Sequence, residues 1–263
     1  MSTSFLNTQW RPKSIIACHV VSLLLLASWL WHPTRELWNA LDVALFHLLN
    51  DPVHGGGWWA TIWAIGSMRP VDMGVALVLL LVMVTGNLVL PRQQVRPALV
   101  AFVVLLLIML PIRVLFTDLV EAMDWQRPSA SLVVEGSARL TEMFPAWEER
   151  WDLKDSASRS FPGDHASVLL LWGVFMTLIA HNWRLLLVWG VVLIGILPRL
   201  VAGAHWGSDA LVGSSILVLL GLAWGYFTPA LYRATTWVER VSAPLRAHLR
   251  RLPLIGRLAL LES

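Results

Sequence analysis

Two histidines, and the residues spaced around them, are the first positions in this sequence equipped for chemistry. His205 stands four residues before Asp209, a spacing that on a helix leaves both side chains on one face and within reach. An aspartate bonded to one imidazole nitrogen fixes the tautomer and leaves the other nitrogen free to attack phosphorus. Read alone, the pair has a plain alternative: Asp209 caps the last apolar helix and His205 is an interfacial residue. Arg199 lies six residues before His205, near the end of an apolar run. A guanidinium there is costly unless it is paired or faces an aqueous cavity, with snorkelling to headgroups as the alternative. His165 follows Pro162-Gly163-Asp164 and opens another apolar run. It can protonate a leaving oxygen, or Asp164 can simply cap the helix that starts there. Arg127-Pro128 adds a further cation, and the free amides of a helix N-terminus suit a phosphate. Arg113 lies inside an apolar run with Asp118 five residues on, and is expected to pair with it in a structural role.

These groups can cooperate only if the chain carries them to one place. Of its 263 residues, 57% are hydrophobic and 14% charged, against about a quarter charged in an ordinary soluble domain. The apolar residues come in long runs, the pattern of a chain dissolved in lipid. Six spans are expected, over about 14–31, 71–90, 97–120, 165–181, 185–203 and 209–227. Each is near the length that crosses about 30 Å of hydrocarbon at about 1.5 Å per residue. Backbone groups in lipid must be satisfied within the segment, so the expected fold class is all-α, a polytopic membrane helical bundle. Short interfacial helices are expected over 36–50, where Leu37, Leu41, Ala44, Leu45 and Leu48 keep helical spacing, and over the Trp-rich 58–68. The sixteen Trp suit a belt at headgroup depth. The run after Arg11 and Lys13 reaches Trp31 without a small-residue cleavage pattern and reads as an uncleaved first span.

Arg and Lys collect on the cytoplasmic side of a membrane. With the N-terminus inside, the inner segments hold Arg11, Lys13, Arg92, Arg96 and Arg184, and the tail adds Arg233, Arg240, Arg246, Arg250, Arg251 and Arg257. The outer side holds Arg35, Arg69, Arg127, Arg139, Arg150, Lys154 and Arg159, clustered between 127 and 159. Residues 1–230 therefore read as a membrane domain, with an outer loop of about 121–163 that shows no period, and 231–263 as an Arg-rich cytoplasmic amphipathic tail. Odd spans lead out and even spans lead back. The end of the third, the start of the fourth and the junction of the last two then share one face, and with them Arg127, His165, Arg199 and His205. A formal charge of +3 on dispersed arginines gives no footprint for nucleic acid. Cys18, the single cysteine, excludes an intramolecular disulfide, and no Asp/Glu cluster suits a metal.

Taken together, Arg199-x5-His205-x3-Asp209, preceded by Pro162-Gly163-Asp164-His165 and by Arg127-Pro128, resembles the type-2 phosphatidic acid phosphatase superfamily over residues 36–227. The resemblance implies His205 as a nucleophile that forms a phosphohistidine, Asp209 as its orienting partner and His165 as the acid. It implies Arg127 and Arg199 as phosphate clamps, without metal or cofactor. Two departures stand out. The lysine of the family's first motif is replaced by Val120, and the serine-containing second motif by Pro162-Gly163-Asp164-His165. Lys154 or Arg159 is expected to supply the missing cation. The run from Lys154 to His165, and Pro198-Arg199 followed by Gly203-Ala204-His205-Trp206, look like the lipid A phosphotransferase subgroup. That likeness implies transfer of the terminal phosphate of undecaprenyl diphosphate to lipid A 1-phosphate at the periplasmic face of a Gram-negative inner membrane. A phosphatase with water as acceptor and a non-catalytic lipid-binding protein are the competing expectations.

Overall fold

Apolar runs that cannot leave backbone groups unpaired become helices, and prolines mark where several of them begin. The computed structural model describes residues 5–249, which are helical apart from loops and one isolated antiparallel bridge, Met68 with Leu153. Helix α1 (Pro12–Leu30) and helix α2 (His32–Asn50) each carry a proline in the first turn, where the missing N–H is no loss. Helix α3 (Gly57–Gly66) follows the glycine run, and α4 (Arg69–Val84) opens on Pro70. Helix α5 (Arg92–Ala122) is the longest and runs through Pro97 and Pro111. After the 121–163 loop come α9 (Asp164–Ile179) and α10 (Leu185–Val201). A π-helical turn, Asp209–Ser214, then leads straight into α11 (Ser215–Trp224).

All six expected spans are helices, displaced by a few residues at their ends. Among the described residues, only α1 and α5 are long and apolar enough to cross a membrane by length and composition. Helices α9, α10 and the 209–224 segment are apolar but have 16 or 17 residues, about 24–26 Å of helix. They stop short because Asp164, the Pro198–Arg199 step and Asp209 end the apolar runs at one end of the bundle, where the candidate site lies. Helix α1 packs on α11, α5 on α11, and α9 on α10. Between them Trp29, Leu105, Trp172, Phe175 and Leu217 are buried without residual exposure.

The 121–163 loop is more ordered than its lack of period suggests. It holds three short helices, α6 (Ala130–Val133), α7 (Leu140–Met143) and α8 (Pro145–Trp151). Single polar side chains fasten it. The Asp155 carboxylate accepts from the Thr141 amide at 2.9 Å and hydroxyl at 2.7 Å. Asn50 of α2 accepts from the Ala138 amide at 2.8 Å and donates to the carbonyls of Ala138 and Val201. Such ties leave no periodic trace in a sequence.

In the tail, α12 (Ala230–Leu249) packs on α5 and forms a buried ion pair, Arg96 with Glu239 at 2.7 Å. Arg246 reaches the same glutamate. Arg250, Arg251 and Arg257 of the expected tail lie outside the described residues.

Candidate active site

The turn after α10 sets the position of His205. Gly203 adopts φ +76°, and a Cβ there would meet the Phe46 ring at 2.6 Å and the Ser131 backbone nitrogen at 3.1 Å. Only glycine turns the chain at that point. The Ala204 and His205 amides close back on the Arg199 carbonyl at 3.0 and 3.3 Å. Asp209 then ties the next turn, accepting from the Trp206 amide at 2.8 Å. The wide π turn that follows lets Ser214 donate to the Gly163 carbonyl at 2.5 Å, while the Gly163 amide donates to the Asp209 carbonyl at 3.3 Å. These bonds stitch the start of α9 to the π turn before α11, joining residues 46 and 51 positions apart in sequence. π turns are frequent at functional sites because the extra residue re-aims side chains.

His205 Nδ1 lies 2.9 Å from the Ser160 carbonyl oxygen. A carbonyl can only accept, so Nδ1 carries the hydrogen and Nε2 keeps its lone pair. Asp209 Oδ2 is 3.5 Å from the same Nδ1 and therefore a second, longer partner. Nε2 points toward Asp164, whose Oδ1 is 4.0 Å away. Burial lowers the imidazole pKa, but the bond and charge of Asp209, the charge of Asp164 and the Ser160 carbonyl outweigh it. The pKa of His205 stands above its ordinary value.

His165 Nε2 donates to the Gly195 carbonyl of α10 at 3.2 Å and lies 3.8 Å from Asp72. Asp72, on the first turn of α4, also pairs with Arg199. The other arm of Arg199 donates to the carbonyls of Ser67 at 2.9 Å and Lys154 at 3.1 Å. This buried guanidinium is thus held from three segments.

A cavity of about 680 Å³ opens in front of both histidines. Its lining includes His165, His205, Arg199, Lys154 and Arg159, all expected, and also Arg69, Arg113, Asp72 and Asp164. Five basic side chains thus face two acidic ones. Lys154 and Arg159 stand at the rim, half exposed, paired with Asp152 at 2.9 Å and Glu121 at 2.8 Å.

Arg127 is not part of that lining. It sits behind His205, bonded to Asp42 at 2.8 Å, Ser208 at 2.5 Å and Asp209 at 3.0 Å, between the rings of Trp206 and Trp29. Asp42 closes this cluster by accepting from the Ser208 amide at 2.8 Å. Asp42 on α2 was missed as a functional residue; its place among Leu37, Leu41, Ala44, Leu45 and Leu48 is the one local signal of it. Arg113 departs from expectation too. It pairs with Asp164 at 2.8 Å rather than with Asp118, because five residues turn a helix by about 140° and put the two on different faces. Among the described residues, no group of three or more His, Cys, Asp or Glu is arranged to hold a metal ion.

An all-helical chain with two long apolar helices, and a basic cavity around paired imidazoles, belongs to the class of enzymes that transfer or hydrolyse phosphate on lipids. This chain belongs to the PAP2 superfamily, whose family model matches residues 102–237. It is 26% identical over 227 residues to lipid A 1-diphosphate synthase of Escherichia coli (strain K12), an alignment covering 86% of this chain and 92% of that protein. No solved structure matches it.

Proposed function

We propose that this protein transfers the terminal phosphate of undecaprenyl diphosphate to lipid A 1-phosphate by way of a phosphohistidine on His205. One observation carries the reading. Nε2 of His205, freed by the Nδ1–H bond to Ser160, faces a basic cavity that also holds His165. Nε2 attacks the terminal phosphorus, and the bond to the bridging oxygen breaks with its electron pair on the departing undecaprenyl phosphate. His165 supplies the proton. It does so as an imidazolium: the Nε2–H stays on the Gly195 carbonyl, and the proton delivered is the one on Nδ1, leaving a neutral ring. An oxygen of the lipid A phosphate then attacks the phosphohistidine, and the P–N pair returns to Nε2.

Arg199 neutralises charge on the phosphoryl oxygens, the main electrostatic task in such a transfer. Lys154 and Arg159 meet lipid phosphates at the cavity rim. Arg127 acts through Asp209, holding the carboxylate that orients the nucleophile. The six helices are spans with both ends in the cytoplasm, residues 1–230 form the catalytic domain, and the tail lies at the inner surface. The cavity then opens at the periplasmic side of a Gram-negative inner membrane. Support for the acceptor comes from the E. coli relative, a lipid A 1-diphosphate synthase, which aligns along most of both chains.

The test uses purified protein with undecaprenyl diphosphate labelled in its terminal phosphate, with and without lipid A. The expected result is label on lipid A and an acid-labile label on the protein that His205→Ala removes. Release of inorganic phosphate at a rate indifferent to lipid A would make the protein a phosphatase instead.

A further inference from the structure

The lysine that the superfamily places in its first motif has no counterpart at Val120, whose side chain is wholly buried in the bundle core. Seven residues earlier on α5 stands Arg113. A seven-residue step brings a helix back to nearly the same face, about 20° away. The guanidinium is long enough to leave the apolar wall, and it lines the cavity rather than the lipid-facing surface. We propose that Arg113 binds the phosphate being transferred, taking over the duty of the absent lysine, and that Asp164 occupies its guanidinium until a phosphate arrives. The proposal rests on the phosphoryl-transfer reading above.

Asp164 is the link. One of its oxygens lies 2.8 Å from Arg113 Nη2 and the other 4.0 Å from His205 Nε2. A carboxylate thus lies between the nucleophilic nitrogen and the guanidinium, with the charge and shape of an oxyanion group. A phosphate in that place is a dianion with three acceptor oxygens, and it outcompetes a carboxylate for a planar, forked donor. Lys154 and Arg159 are less well placed. Their carboxylate partners, Asp152 and Glu121, do not line the cavity, so neither cation is held next to His205. The depth of Arg113 adds a separate reason. A charged residue well inside a long apolar helix is retained where it meets a partner or an aqueous pocket, and Arg113 has both.

The measurement is phosphate binding, which needs no turnover. Purified wild-type protein, Arg113→Gln, Arg113→Lys and Asp164→Asn are titrated with inorganic phosphate, and the midpoint of thermal unfolding is followed. Asn at 164 keeps an acceptor for the His165 amide, now bonded at 2.8 Å. The expected outcome is at least about tenfold weaker binding for Arg113→Gln, a smaller loss for Arg113→Lys, and tighter binding for Asp164→Asn. Wild-type-like binding by Arg113→Gln overturns the proposal. So does weakening by Asp164→Asn, which would mark the pair as structural. Should Arg113→Gln fail to fold, the sign of the Asp164→Asn change decides alone. Binding that follows this pattern in a protein without lipid transfer activity would count against the transferase reading and leave this one standing.

Discussion

At the scale of single residues, the hydrogen on His205 Nδ1 decides what the site can do. Ser160 fixes it with a backbone carbonyl, and Asp209 reinforces it from 3.5 Å while holding Arg127 and the Trp206 amide. Attack requires a neutral imidazole, and the pKa of this one stands above the ordinary 6.5. As pH falls, the nucleophile is therefore lost earlier than for a free histidine. The acid limb of kcat/KM is expected above 6.5, and Asp209→Asn should move it to lower pH while reducing the rate. A limb that stays put in Asp209→Asn would show that Asp209 does not tune the nucleophile. Asp42 makes a second case. It is 3% exposed and neutralises Arg127, so Asp42→Ala leaves a buried guanidinium short of a partner. The expected loss is about 3–5 kcal/mol of stability, read from denaturation in detergent.

At the scale of elements, the turn 202–208 and the π turn beyond it convert two helix ends into one site. Gly203→Ala must accept both a positive φ and a contact of 2.6 Å with Phe46. The backbone term alone costs about 1–2 kcal/mol, and the displaced turn moves His205 relative to the Ser160 carbonyl. Activity is expected to fall more than stability does, measured by turnover and thermal melt on the same preparation. The 121–163 loop belongs to this scale as well. It contributes Lys154, Arg159 and the Ser160 carbonyl, and it is held by the hydrogen bonds of Asp155 and Asn50 and by Leu140 and Leu153, which are buried against Val53, Ala60 and Val201.

At the scale of the whole molecule, the proposed topology puts the cavity and the chain ends on opposite sides of the membrane. Cys18 is the sole cysteine and is buried, so a Cys18→Ser background permits labelling at chosen points. In whole cells with a permeable outer membrane, an impermeant maleimide should label Glu135→Cys, in the exposed outer loop, and spare His181→Cys between α9 and α10. The reverse pattern would turn the bundle over and put the site in the cytoplasm. Short helices and broken apolar runs at the cavity end fit a site near headgroup depth, where phosphates of two lipids can meet.

Composition and hydrophobic runs were enough to give an all-α bundle with a helix at each of the six expected apolar runs, because helical hydrogen bonding acts along the chain. The spacing of His205 and Asp209, and of Pro162 through His165, was likewise visible, since each motif lies within one turn or one helix end. Whether Arg127 faces the cavity or stands behind His205 was not legible. That depends on Asp42, 85 residues away, through a carboxylate whose role appears only when α2 packs beside the 202–208 turn. The partner of Arg113 was also out of reach of local reading, because helix geometry rules out Asp118 and only the docking of α9 brings Asp164 to it. Charges in an apolar bundle choose their partners by three-dimensional proximity, and distance along the sequence carries no record of that choice.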